Sequence, residues 1–432
     1  AVPRVHFDTT TVTLSGQYAG SRAEPRITQG VNKDHRPDLK QLLFGLNVTS
    51  DGAVPLLHHV YSGNRTDDSV HVQNVDLLRE ILGRGDFVYV ADSKLCTKAN
   101  LEHVSSYGGL FVTVMPRTRK EDQSFRADLR SGAVVARWRK VLERDGARRE
   151  EDRPDVYACT AQGPQQSAEG YRIVWVRSSL KARQDAKGRL GRLRRAENEL
   201  HVLADRVERS RRLGAKAVEE KARKILEHYK VETFLDVEAV PYTETERRYL
   251  RRGRPRPGDP MRMIRHRRLR LQVSRDETAL KAEGRVDGVF PLLTNHPKAS
   301  KREVIEIYKY QPYIEKRFAL SKSEYAIAPI FLKKPGRVAG LIHLYFLAIM
   351  CSALIERQVR RAMQALDIPK VHILPEGRPT ATPTTPRIFE MFEHVAWHEF
   401  EEGRRTVTFP VELDPTQELL LQLLDVPKEA YV

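Results

Sequence analysis

The sequence predicts an α/β fold, a mixed sheet flanked by helices and interrupted by a large, charged α+β insertion. Three observations predict it. Apolar, β-branched runs alternate with helical patterns from residue 5 to residue 116. The stretch 117–285 then turns strongly charged, and strand and helix patterns resume from 288. The expected organisation is a core over 1–116, an insertion over 117–285, a second part of the core over 286–366, and a C-terminal linker and tail over 367–432.

The elements follow in order. VHFDTTTV (5–12) is rich in β-branched residues and reads as a strand. LLFGLNVT (42–49) and VPLLHHVY (54–61) flank Ser50-Asp51-Gly52, a hairpin signal. In SVHVQNVDLLREIL (69–82), Val72, Val75, Leu77, Leu78 and Ile81 share one side of a helix. FVYVA (87–91) is a continuous apolar run suited to a strand covered on both faces. Thr97 is placed to cap a helix running to Tyr107, and GLFVTVMP (109–116) is the next strand.

Within the insertion, VYACTA (156–161) and YRIVWV (171–176) read as a hairpin pair. Residues 180–229 form a long helical arm or a coiled pair, with Leu190, Leu193, Leu200 and Leu203 along one side. VETFLDVEAV (231–240) returns to strand character, and 251–270 holds nine arginines. GVFPLLTN (288–295) resumes the core. A helix from Lys301 to Lys322 is broken or kinked at Pro312, and a second helix covers 336–366. The Pro/Thr-rich 375–386 reads as a linker, followed by one strand at 406–413.

The chain has 432 residues, 40% of them hydrophobic, enough for a real core and for two or three domains. Lys and Arg number 74 against 57 Asp and Glu, a formal charge of +17. Such a balance points to a polyanionic partner, of which nucleic acid is the commonest. The alternative is a merely basic protein. Cys96, Cys159 and Cys351 lack metal-ligand spacing and argue against a disulfide framework or a zinc site, which fits a reducing cytoplasm. No signal peptide is visible, and LIHLYFLAIMCSAL (341–354) falls short of the roughly 20 residues that span a bilayer. A buried core helix and no membrane partner are expected. Residue 1 lies beside a core strand and no initiating methionine is present, so an N-terminal domain is expected to be missing, or the start to have been read too late.

Asp8 stands inside a strand and Asp92 at the end of another. Asp is depleted in strands, and burying its charge costs several kcal/mol unless it is paired or bound to metal. Ligands of α/β sheets gather at strand ends, so the two carboxylates make a candidate hard-metal site. Each could equally cap the element that follows it. YKYQPYIEKRFALSK (308–322) adds Tyr308, Gln311, Glu315 and Lys322, spaced three, four and seven apart, near one helical face.

That spacing resembles the Y-x2-R-x3-E-x6-K signature of bacterial insertion-sequence transposases of the DDE type. HFDTT carries the first aspartate of that family and VADSKL the second. KDHRPDLKQLLFGL (33–46), YSGNRTDD (61–68) and DGVFPLLTNH before the last motif look like segments of these enzymes too. The match covers roughly residues 4 to 360. One position departs: Gln311 stands where the family has arginine, leaving Arg317 or Arg302 to supply the charge.

The resemblance implies an RNase H-like catalytic domain whose first three strands are antiparallel. It implies a magnesium-dependent DNA endonuclease and strand transferase for cut-and-paste transposition. Asp8, Asp92 and Glu315 would be the catalytic residues and the ligands of two Mg²⁺ ions on the order of 4 Å apart, with Mn²⁺ as a substitute. Asp8 would bridge the ions, and Asp92 and Glu315 would each hold one. Tyr308, Gln311, Arg317 and Lys322 would contact DNA. Arg251, Arg252, Arg254 and Arg256 could line a DNA channel, with a solvated basic surface as the alternative. Lys33, His35, Arg36 and Lys40 form a second basic cluster. Trp138 or Trp175 could stack on a flipped base, against the default of small-domain core. His58 and His59 are expected to pack. The implied partners are double-stranded DNA, both transposon ends and target, and a second copy of the chain; the implied place is the bacterial cytoplasm, at the nucleoid. Two other readings stand beside this one: a catalytically silent DNA-binding protein derived from a transposase, and another RNase H-like nuclease such as a junction resolvase.

Overall fold

A computed structural model describes the chain apart from residues 1–2, 19–23, 34–35, 145–152, 211–213, 251–253, 255–259, 397, 403–404, 410 and 432. The fold is mixed α/β and divides into two compact units, 1–116 with 166–172 and 292–432, and 117–165 with 173–291.

In the first unit, β1 (Arg4–Leu14), β2 (Lys40–Thr49) and β3 (Pro55–Ser62) form an antiparallel meander. A helix, α1 (His71–Leu82), leads to β4 (Val88–Ala91), which pairs parallel with β1. A second helix, α2 (Lys98–Ser105), leads to β5 (Leu110–Val114), parallel to β4. This is the strand pattern expected from the sequence. Every residue of β1 is buried except Arg4 and Asp8. A strand covered on both faces reads as a continuous apolar and threonine run, and Asp8 is where that cover opens.

The chain then builds the second unit. A helix, α3 (Lys120–Ser131), precedes the antiparallel strands β6 (Arg139–Arg144), β7 (Asp155–Thr160) and β8 (Arg172–Ser178). Two helices follow, α4 (Ser179–Arg209) and α5 (Ala215–Tyr229), then the strands β9 (Leu235–Tyr249) and β10 (Met261–Arg275) and a short helix α6 (Glu277–Gly284). The expected coiled pair exists: Leu193, Leu200, Leu203 and Val207 of α4 pack on Val218, Ala222 and Leu226 of α5 and on Ala239 and Leu271 of the strands. Leu190, expected on that stripe, is exposed.

The chain returns through β11 (Val289–Thr294), whose Leu292 pairs with Val114 of β5. In the first unit the strand order is β3-β2-β1-β4-β5-β11. The return falls six residues later than the expected boundary at 285. Buried polar bonds explain the delay. Asp287 pairs with Arg189 at 2.6 Å, Gly288 N donates to Asp185, and Arg126 Nη2 donates to Val289 O at 2.6 Å. Residues 166–172 belong to the first unit, where Tyr171 meets the Phe111 ring edge-on.

Three helices complete this part: α7 (Lys301–Tyr308), α8 (Pro312–Ser323) and α9 (Pro335–Ala365). The break at Pro312 is as expected, because Pro fits a first helical turn but not a helix interior. Ile314 and Phe318 of α8 and Val338, Ile342 and Phe346 of α9 pack on Phe44, Leu46 and Val48 of β2. Each such fully buried side chain contributes about 1.5–3 kcal/mol. Among the described residues, α9 alone is long and apolar enough to cross a membrane. Here one side of it is core, while Leu344 and Leu354 on the other are exposed.

Two expectations are corrected. The buried side of α1 is His71, Asn74, Val75 and Leu78, while Val72 and Ile81 are exposed. The reason is a polar network: Asn47 and Asn74 exchange amide bonds at 2.8 and 2.9 Å, and Tyr89 OH bonds both Asn74 and His71. The 375–386 stretch is not an open linker. It contributes to a small hairpin of β12 (Val371–Leu374) and β13 (Arg378–Thr380) and to helix α10 (Thr385–Glu390). Thr385 Oγ1 donates to Ser352 O of α9 at 2.8 Å, and Ile388 packs against Val359 and Met363. The expected tail strand is β15 (Arg405–Phe409), paired with β14 (His398–Glu402); a helix, α11 (Pro415–Leu424), was not anticipated.

His58 and His59 do pack. His58 Nε2 lies 3.0 Å from His343 Nδ1, and its ring meets Phe346. Burial, with smaller pushes from His343 and His59, lowers the His58 pKa from 6.5 to about 4. The unfolded chain therefore takes up this proton first as pH falls. The contribution to stability is present above pH 6.5 and is lost as pH drops from there towards 4. Urea unfolding across that window should show wild-type stability falling more steeply than that of His58→Phe. Parallel curves would mean that other groups govern the acid response.

Candidate active site

The pairing of β1 with β4 sets the first two carboxylates side by side. The register is parallel, with Val5 opposite Tyr89 and His6 opposite Val90. The pairing ends there, and Asp8 and Asp92 each come two residues later along their chains. Asp8 Oδ1 accepts from Thr9 N at 2.7 Å. Asp92 caps the 3-10 turn Ser93–Leu95 by accepting from Lys94 N at 3.0 Å, and its carbonyl accepts from Thr113 Oγ1. The capping role expected as the alternative for Asp92 is thus present.

Glu315 sits in the first turn of α8 and is exposed. Tyr308 ends α7. Burial raises its phenol pKa, and the charges of Asp92, Glu315 and Asp8 raise it further, in that order. All three acids therefore lie within electrostatic reach of one hydroxyl. Burial also raises the phenol of Tyr89 beneath the sheet, with Asp92 and Asp8 adding to it.

Gln311 precedes α8 at its N-cap position, makes no capping bond, and is buried. Its Nε2 donates to Phe7 O at 2.8 Å, so its Oε1 is the acceptor facing His6 Nδ1 at 3.3 Å. Burial lowers the His6 pKa to about 4, so at neutral pH the ring is uncharged and Nδ1 carries its proton. The Gln311 amide thus fastens the start of α8 to the strand residues just before Asp8.

Arg317 does not present its guanidinium outward. It is buried, paired with Glu356 at 2.8 Å, and bonded to the carbonyls of Gly52 and Ala53. This corrects the expectation that it contacts DNA. Arg302 is exposed and pairs with Glu306. Lys322 lies two helical turns beyond Glu315 on α8 and is half-buried. Lys33 reaches the same region: its Nζ donates to Thr9 O at 2.7 Å and Thr9 Oγ1 at 3.0 Å, one residue from Asp8. Arg36 pairs with Asp38, Lys40 bonds Gln17 O, and His35 lies outside the described residues.

In the second unit Trp175 is core, fully buried against Phe125, with its Nε1 donating to Pro164 O. It cannot stack on a base, and Trp138 is only half-buried. Arg254 is exposed, whereas Arg251, Arg252 and Arg256 lie outside the described residues.

Among the described residues, no group of three His, Cys, Asp or Glu side chains is placed to hold a metal ion. Asp8, Asp92 and Glu315 are all carboxylates, the oxygen-donor type that Mg²⁺ takes, and Mg²⁺ binds through one or two carboxylates together with waters and substrate phosphate. An open set of acids suits an ion whose remaining ligands arrive with the substrate. No protein-family model and no curated protein matches the chain.

Proposed function

We propose that this chain is a transposase of the DDE type, with an RNase H-like core, cleaving DNA at transposon ends and joining the freed 3′-hydroxyl to target DNA. The observation that carries the proposal is the placement of Asp8 in β1 and of Asp92 directly after β4, the parallel partner of β1, with Glu315 in the first turn of α8. Carboxylate oxygens are the donors that a hard divalent cation takes. Asp8, Asp92 and Glu315 would hold two Mg²⁺ ions. Bound there, these would activate the attacking oxygen and stabilise the leaving one.

The protein's own groups have separate tasks. Gln311 fixes the helix that carries Glu315 against the strand that carries Asp8. Lys322 and Lys33 are the cations placed to meet a DNA phosphate. Tyr308, kept protonated, can donate to a phosphate oxygen. The proposed partners are transposon-end and target duplexes and a second copy of the chain.

A second reading has one specific support. With Gln311 in place of arginine and Arg317 turned inward, phosphate contacts near the acids are fewer. A silent, DNA-binding descendant would tolerate that. Incubating the chain with Mg²⁺ and supercoiled plasmid bearing the element's ends separates the two. Nicked and end-joined products are expected. DNA bound but neither nicked nor joined would establish the silent descendant instead.

A further inference from the structure

We infer that the outer half of the β9–β10 ribbon is a docking surface for the major groove of duplex DNA. This deepens the proposed function, and it stands on charge and geometry confined to the second unit.

The inner half of the ribbon is supported by helices. Leu235, Ala239 and Leu271 pack on α4 and α5. Along β10, Arg275 pairs with Glu197 and Arg270 with Glu208, and α4 ends at Arg209. Helical support therefore stops near Arg268 and Arg270. From Arg267 to Met261, and from Thr243 to Tyr249 opposite, the two strands continue for about 20 Å at 3.3 Å per residue. A ribbon of two strands with no packed face is only marginally stable by itself. A free length of it makes sense as a contact surface.

Its two faces differ. Residues directly opposite one another share a face, and faces alternate along each strand. One face carries His266 opposite Glu244, Ile264 opposite Glu246 and Arg262 opposite Arg248, so two carboxylates stand among its basic groups. There Glu246 pairs with His266 at 3.0 Å, and Glu244 pairs with Arg268 at 2.8 Å. The other face carries Arg265 opposite Thr245, Arg267 opposite Thr243, Met263 opposite Arg247, and Met261 opposite Tyr249. It holds no carboxylate, and among the described residues Arg247, Arg265 and Arg267 have no ion-pair partner. All three are exposed, as are Met261, Met263 and Tyr249.

Three unneutralised guanidiniums at this spacing repel one another and attract a polyanion. The apolar side chains beside them add surfaces able to meet base edges and thymine methyls. A two-stranded ribbon fits the major groove of B-form DNA, which is about 12 Å wide. The corresponding groove of duplex RNA is too deep and narrow to admit it.

The test is fluorescence anisotropy of the full chain with a mixed-sequence DNA duplex over a range of salt concentrations. The variant combines Arg247→Gln, Arg265→Gln and Arg267→Gln. A charge-matched control replaces the exposed Arg192, Arg194 and Arg195 of α4 with Gln. Thermal unfolding first verifies that both are folded. The ribbon variant should lose about tenfold or more in affinity, and its plot of log K against log salt should flatten by about 3. The control should change neither by much. Equal behaviour of the two variants would overturn the inference, and duplex RNA binding as tightly as DNA would overturn its groove assignment. Plasmid nicking is measured in parallel. Nicking that survives with ribbon-independent binding overturns the ribbon alone. Ribbon-dependent binding with no nicking by the wild type supports the ribbon and overturns the enzyme reading.

Discussion

Asp92→Asn is expected to reduce Mg²⁺-dependent DNA nicking by about a thousandfold or more while leaving the fold intact. The substitution keeps what Asp92 does structurally. Asn caps a helical turn as well as Asp does, and its side-chain oxygen can still accept from Lys94 N. What it removes is the negative charge. At about 1.36 kcal/mol per decade, a thousandfold loss corresponds to about 4 kcal/mol of transition-state stabilisation, a reasonable share for a metal-binding carboxylate. Thermal unfolding should differ little between the two proteins, so the activity loss can be assigned to chemistry. Nicking retained at the wild-type rate would reduce Asp92 to a turn cap and would remove the acidic site from the mechanism.

Arg317→Met has the opposite profile: a large loss of stability and a small effect on DNA affinity. Arg317 and Glu356 are each about 5% exposed or less, and their ion pair is joined by bonds to the carbonyls of Gly52 and Ala53. Removing one member of a buried pair typically costs about 3–5 kcal/mol, because the other charge is left in a poor environment. Arg360, 3.2 Å from Glu356, compensates in part, so the lower end of that range is expected. The double variant Arg317→Met with Glu356→Leu should recover only part of the loss, because Glu356 also accepts from Arg360 and from Thr385 N. Urea unfolding measures the stability of both. A single variant as stable as wild type, yet weakened in DNA binding with a shallower salt dependence, would return Arg317 to the phosphate-contacting role.

Much of the first unit was legible in the sequence because its signals are local. The Asp-Gly turn between β2 and β3, the threonine cap of α2 and the proline at the start of α8 each act within a few residues. Asp8 and Asp92 stand out in the sequence because a carboxylate among apolar strand residues is costly. What escaped notice depends on partners distant in sequence. The buried side of α1 could not be read from apolar spacing, because Asn74 is satisfied by Asn47 and Tyr89 across the core. The inward turn of Arg317 depends on Glu356 of α9. The arginine run at 251–270 was read as one basic stretch. Its second half is a strand, and alternation sorts those arginines between a face that carries two glutamates and one that carries none. The tail helix could have been found from Asp414 and Gln417, which form a capping box.

The pairing of Val114 with Leu292 has a consequence for how the molecule comes into being. During synthesis the strands bearing Asp8 and Asp92 emerge early and can pair with β2 and with each other. The strand that completes this sheet waits until the whole second unit has left the ribosome. Glu315 follows later still. Contacts so distant along the chain form slowly, and domains tend to fold as units as they appear. A nascent chain therefore carries two acids long before it can acquire the third. On this account a molecule truncated anywhere within the second unit would lack the third acid of the proposed site, and the set would be complete only once residue 315 has been added.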